Sequence, residues 1–215
     1  MSDMVDRIND IHRAVGRRAV AEGEARTVLL RRTYDAPAED VWDACTDPER
    51  IGRWFLPVSG DLVLGGRYQL EGNAGGEVLE CEPPRRLKIS WEMGEQPGFS
   101  EVEVRLTPEG AERTVFELEH VAVVPPDFWD TYGPGAVGVG WDMTLLGLGL
   151  HLEGREIGPG GVEEWERTGD ARTCMTRSSE AWGEAYAASG APPAEVTATV
   201  TATTAFYVPR REDDA

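Results

Sequence analysis

Lysine is nearly missing from this chain: Lys88 is the only one, and the remaining strongly basic residues are all arginine. Bases as a whole are scarce, with 21 Lys and Arg against 39 Asp and Glu, for a formal net charge of -18. With a pI of about 4.5, such a chain repels phosphate backbones and anionic lipid surfaces, so nucleic acid is not an expected partner. Cysteine is sparse as well. Cys45, Cys81 and Cys174 are odd in number and far apart, which fits neither a disulfide framework nor a zinc site and points to a reducing cytoplasm. Histidine occurs only at His12, His120 and His151; His12 and His151 are read as helix-surface residues. No carboxylate spacing completes a metal set around them, so neither metal nor cofactor is expected. The glycines of Gly72 to Gly76 are followed by no lysine and open no helix, unlike a phosphate loop. The polar N-terminus, MSDMVDRIND, has no signal-peptide pattern. The longest apolar stretch is too short and too rich in glycine to span a bilayer, so membrane insertion is not expected.

What the chain does have is enough apolar residues, 40% of 215, to bury a core, as one domain with additions or two small ones. That longest apolar stretch is VGVGWDMTLLGLGLHLE, from Val137 to Glu153. On a 3.6-residue period Trp141, Leu145, Leu148 and Leu152 form one stripe, and Met143, Leu146 and Leu150 lie opposite. Asp142, Thr144, His151 and Glu153 are the thin polar remainder. A helix apolar on two sides is covered on two sides. Its glycines, each costing about 1 kcal/mol against Ala, mark places where another backbone or a ligand comes close.

Before this helix the pattern is mostly that of strands. Val5, Ile8, Ile11 and Val15 predict a short amphipathic helix capped by Ser2 or Asp3. Arg18 to Glu22, Gly23, and then Ala25 to Tyr34 predict a hairpin into a long strand. Ala38 to Cys45 is a short helix. Asp47-Pro48 restarts it, as an Asp cap with Pro at the first helical position, and the second helix runs to about Trp54. From Asp61 to His120, alternating runs separated by Gly, Pro and Asn predict a meander of about six antiparallel strands, one face buried and one wet. A short helical or turn segment through Trp129 leads to the long helix. Connection rules then require an α+β helix-grip fold: a curved antiparallel sheet of about six to seven strands wrapped around a long helix, with two short helices after the first strand and extra helices at both termini.

The runs Tyr34-Asp-Ala-Pro-Ala-Glu-Asp-Val-Trp and Asp47-Pro-Glu-Arg-Ile-Gly-Arg-Trp54 resemble the opening of the START-like (SRPBCC) superfamily. Gly65-Gly66-Arg-Tyr68, Gly76 to Pro84, Leu87-Lys-Ile-Ser-Trp91 and Val102 to Pro108 narrow the resemblance to its branch named for the activator of the heat-shock-protein-90 ATPase. It covers about Thr27 to Leu152. The resemblance implies a helix-grip fold with a mostly apolar cavity, in a superfamily that carries lipids and hormones, cyclises polyketides or acts as co-chaperones.

Three parts follow: an N-terminal addition (1-24), the helix-grip domain (25-154) and a C-terminal extension (155-215). In the extension, Gly154 to Gly161 is a loop. Ala171, Cys174, Met175, Ser178, Trp182, Ala185, Tyr186 and Ser189 form an amphipathic stripe. Pro192-Pro193-Ala194-Glu195 opens a further helix to Tyr207, although its Thr and Val content also suits a strand. The segment from about Ala171 to Ser189 is expected to dock on the Met143, Leu146 and Leu150 side, with Trp182 as its anchor.

Strand parity points Tyr68, Trp91, Phe116 and His120 inward, with Trp54, Trp141 and Leu145 facing them. These seven are the candidate ligand-binding residues, and aromatic lining with few polar groups suits an apolar ligand. His120 has two readings: a ligand contact or acid-base group, or a core histidine satisfied by a carbonyl or water. No motif puts a Ser or Cys nucleophile beside it, so no catalytic residue is assigned. Glu101, Glu103, Glu117 and Glu119 belong to the wet face. The expected function is binding of a small apolar or amphipathic molecule, with cyclase- or hydrolase-like chemistry as an extension, by a monomer or homodimer. The alternative is a co-chaperone-like module that uses its outer surface.

Overall fold

The computed structural model describes residues 3–94, 98–155, 165 and 167–209. Ser2 and the loop predicted from 156 to 161 lie outside them. Helix α1 (Asp3–Asn9) leads into β1 (His12–Val20) and β2 (Gly23–Tyr34). Helices α2 (Ala38–Thr46) and α3 (Pro48–Trp54) come next. Then follow β3 (Val58–Gly60), β4 (Arg67–Leu70), β5 (Gly75–Glu82), β6 (Arg86–Ser90), β7 (Ser100–Pro108) and β8 (Thr114–Ala122). Helix α4 (Pro126–Tyr132) precedes the long helix α5 (Gly135–Leu152), and α6 (Gly169–Ala188) and α7 (Pro193–Tyr207) complete the order. Among the described residues no helix is long and apolar enough to cross a membrane.

The strands form one antiparallel sheet in the order β1-β2-β8-β7-β6-β5-β4-β3. That is eight strands rather than six to seven. Part of the difference is β3, whose three residues are too few to show an alternating pattern. The N-terminal helix predicted through Val15 stops at Asn9 instead. From His12 onward the chain pairs residue by residue with β2, His12 opposite Arg31 and Val20 opposite Gly23. A nine-residue ladder outweighs two turns of marginal helix. His12 is therefore an exposed strand residue, not a helical one.

Alternation is clean on β8, where Phe116, Leu118 and His120 are buried and Val115, Glu117 and Glu119 are only half-buried. A register shift between Val78 and Glu80 bends β5, and such a bulge is a usual source of sheet curvature. On the wet face the carboxylates are paired across strands. Arg86 reaches Glu80 and Glu103, each at 2.8 Å, and Lys88 meets Glu101 at 2.6 Å. Within β7 itself, Arg105 meets Glu103 at 2.8 Å.

The cap at the start of α3 is as its sequence suggests: the Asp47 carboxylate accepts from the Glu49 and Arg50 amides. Helix α5 lies across the concave face. Trp141, Leu145 and Leu148 are buried, and so are Leu146 and Leu150 on the other side, where α6 packs on α5. Trp182 of α6 is fully buried. Position 138 has to be glycine for that contact, because a Cβ there would stand 2.2 Å from the Trp182 ring. Gly147 has a similar reason, since a Cβ there would meet the Trp54 carbonyl oxygen at 2.7 Å. The segment 193–207 is a helix, as the Pro-Pro opening suggests and despite its β-branched content.

Candidate functional site: a two-lobed cavity

Curling the sheet around α5 leaves two adjoining cavities. The first lobe, of about 320 Å³, lies between the sheet, α2, α3 and α5. Its floor is aliphatic, with Val78, Leu87, Ile89, Val102, Val104 and Leu118. Of the seven candidate residues, Trp54, Tyr68, Trp91, Phe116, Trp141 and Leu145 line this lobe. His120 does not. It lines the second lobe, of about 520 Å³, together with Trp54, Trp91 and Trp141. Thr144 and Phe55 face both lobes. Volumes of this size fall in the range of small-molecule sites.

The polar atoms of the aromatic wall are largely spent on the protein itself. Trp54 Nε1 donates to the Ala44 carbonyl at 2.9 Å, and the Tyr68 hydroxyl donates to the Ser90 carbonyl at 2.7 Å. Trp141 Nε1 donates to His120 Nδ1 at 3.1 Å. An indole N–H can only donate, so Nδ1 is the unprotonated nitrogen and Nε2 carries the hydrogen. His120 Nε2 stands 2.8 Å from Ser100 Oγ, and in this tautomer it donates to that oxygen.

The structure therefore places a serine beside His120 where no sequence motif had put one, since β7 and β8 pair in register here and a pairing distance is not a sequence spacing. The proton sits on the wrong side for base catalysis, because a histidine that activates a serine must accept at Nε2. Burial also drives the His120 pKa down to about 4, which keeps the ring neutral. Cys45, on the wall of the first lobe, is held as a thiol because burial pushes its pKa up to about 12. Among the described residues no group of three or more His, Cys, Asp or Glu is placed to hold a metal.

The His120 shift has a measurable consequence. The ring titrates near 6.5 when exposed and near 4 in the fold, so below pH 6.5 the unfolded chain binds a proton that the folded chain refuses. Stability is lost as pH falls through that window. Against a His120→Phe variant measured over the same range, the wild type is expected to lose on the order of 3 kcal/mol between pH 7 and pH 4. At neutral pH the variant should be the less stable by roughly 1–3 kcal/mol, since Trp141 and Ser100 lose their partner. Urea melts at several pH values check both, and parallel curves for the two proteins would refute the first.

Several lining residues were not among the candidates: Phe55, Met93, Phe128, Tyr132, Met143, Phe206 and Tyr207. Met143 corrects the helical-face reading. It reaches the same lobe as Trp141 instead of sharing the outer face with Leu146 and Leu150, which its long unbranched side chain permits. Phe206 and Tyr207 arrive from the far end of the chain, and no periodicity within α7 shows what they face. Asp142 was also missed. It is fully buried behind the cavity wall, where it accepts from Arg13 Nε at 2.9 Å, from Trp182 Nε1 at 3.1 Å and from the Ser178 hydroxyl. Burial outweighs the pull of those donors and leaves its pKa raised to about 6, so the group is mostly ionised at neutral pH.

A curved antiparallel sheet gripping a long helix over an apolar cavity defines a helix-grip protein of the START-like class. Within that class the chain belongs to the family described as Activator of Hsp90 ATPase homolog 1-like protein, whose model matches residues 35–153. Among solved structures, CalU16 from Micromonospora echinospora is similar in its crystal form, at 42% identity and a TM-score of 0.65 over 81% of this chain and 97% of that one. Its solution structure gives 43% and 0.66 over 83% and 96%. MLL2253 from Mesorhizobium loti is similar at 25% identity and a TM-score of 0.52, over 60% of this chain and 97% of that one. DynU16, described as a putative protein in the dynemicin biosynthetic locus, is 27% identical with a TM-score of 0.51, over 59% of this chain and 47% of that one. Comparison with curated proteins gives no match. Membership of this family makes the chain a ligand-binding or co-chaperone-like domain.

Proposed function

We propose that the protein binds a small apolar or amphipathic molecule in the two-lobed cavity, and that it binds rather than transforms it. The observation that carries this reading is the state of the wall: a large void whose indole, phenol and imidazole groups mostly hydrogen-bond to the protein and not into the void. Such a surface gains from removing apolar area from water, at roughly 25 cal/mol per Å², and offers few polar anchors for chemistry. The neutral His120 with its proton on Nε2 and the protonated Cys45 thiol argue against acid-base or nucleophilic catalysis. Three free cysteines fit a reducing compartment, and we assign the protein to the cytoplasm on that ground.

The test is a titration with dodecanoate, read by calorimetry or tryptophan fluorescence. One molecule per chain is expected to bind in the micromolar range, about -8 kcal/mol. Thr144 stands where the two lobes meet, and among the described residues its hydroxyl bonds only to the Gly140 carbonyl of its own helix. Thr144→Phe fills that junction and is expected to weaken binding at least tenfold while the melting temperature holds. A wild-type protein that takes up no such ligand but stimulates a chaperone ATPase would instead establish the co-chaperone reading.

A further inference from the structure

The two lobes share Trp54, Phe55, Trp91 and Trp141 and differ in what each adds to them. The first adds Trp42, Tyr68 and Phe116 over an aliphatic floor from the sheet. The second is walled by rings and thioethers. On one bank Trp91 and Trp141 lie 4.9 Å apart between centroids, with His120 edge-on to Trp141 at 5.9 Å. On the other, Phe128, Tyr132, Phe206 and Tyr207 form a chain of ring contacts at 5.2, 5.6 and 5.1 Å. Met93, Met143 and Met175 also line this lobe. We propose that this second lobe is a subsite for a planar aromatic ring system, and that α4 and α7 together supply the bank which selects it.

The proposal rests on the ligand-binding reading and narrows it. Flat rings pack on ring faces and edges with an attraction beyond the area they bury, and thioether sulfur adds to it, whereas a flexible alkyl chain gains nothing specific there. A second observation points the same way. Among the described residues the exposed large apolar side chains are Val63, Leu64, Met93, Phe128 and Phe206, and the last three all sit on the rim of this lobe, 58%, 44% and 61% exposed. A cluster of apolar groups left in water at a cavity mouth marks a contact surface. Phe206 and Tyr207 fall outside residues 35–153, so the α7 half of this bank is an addition to the part of the chain that matches the family model, while Phe128 and Tyr132 lie within it.

The experiment compares two probes, anthracene-9-carboxylate and dodecanoate, on the full chain and on a Phe128→Ala/Phe206→Ala variant. Phe206 is mostly in water and Phe128 nearly half, so the variant should melt within a few degrees of the wild type. The expected result is about tenfold weaker binding of anthracene-9-carboxylate in the variant, with dodecanoate changed less than twofold. Phe206→Leu, which keeps an apolar side chain but no ring, should not restore the aromatic probe. Should the wild type take dodecanoate but not the aromatic probe, or the variant lose both equally, or neither, the aromatic subsite is overturned while the cavity reading survives. If the wild type binds neither probe, both fail together.

Discussion

An Asp142→Ala variant is expected to lose roughly 3–5 kcal/mol of stability, the range for removing one partner of a buried ion pair. The reason is what Asp142 leaves behind. The Arg13 side chain is 5% exposed and that of Asp142 0%. Arg13 spends its other two nitrogens on the Ile8 and Ile11 carbonyls, each at 2.8 Å, closing the end of α1. Without the carboxylate, a guanidinium, a serine hydroxyl and an indole N–H face one another in a dry interior. The three donors come from β1 and α6, so this single side chain on α5 ties both ends of the chain to the central helix. Replacing Asp142 by Leu and Arg13 by Met together removes the stranded charge and should recover a large part of the loss. Urea unfolding of the two variants checks this, and a loss under 1 kcal/mol for Asp142→Ala would show that the network is not structural.

The second large effect is at Trp182. Trp182→Ala is expected to cost roughly 3–5 kcal/mol, the usual range for emptying a buried indole site. Gly138→Ala should cost a few kcal/mol by itself, because the new methyl would lie 2.2 Å from the ring and α6 must shift to admit it. In the Trp182→Ala background the sign should change: with no ring to meet, Ala is the better helix former by about 1 kcal/mol. The two substitutions are then strongly non-additive, and a double-mutant cycle measures the coupling directly. Additive losses would mean that α6 is held elsewhere and that Trp182 is not its anchor.

Much of the framework could be read from local pattern. Parity along β8 put Phe116, Leu118 and His120 on one face because successive side chains on a strand point to opposite sides, and they are buried together. The stripe from Ala171 to Tyr186 and the Trp141 stripe of α5 were legible for the corresponding helical reason. Where a second interaction competed with the local one, the pattern misled. Val5 to Val15 has helical spacing, yet its last four residues became part of the edge strand, because β2 offered them a partner. Met143 has the position of an outward residue, yet its length let it reach the cavity.

The sequence by itself determined the class of fold, the order of its elements and the identity of most inward-facing side chains, since these follow from periods of two and 3.6 residues, from caps and from turn residues. Tertiary structure alone decided the chemistry of the site. The His120 tautomer depends on Trp141 and Ser100, the charge of Asp142 on residues 13, 178 and 182, and the aromatic bank on α7 packing its rings against those of α4. Each of these is a contact between segments that share no spacing in the chain. A periodic pattern reports only which way a side chain faces, and the group it meets is set by how the layers pack.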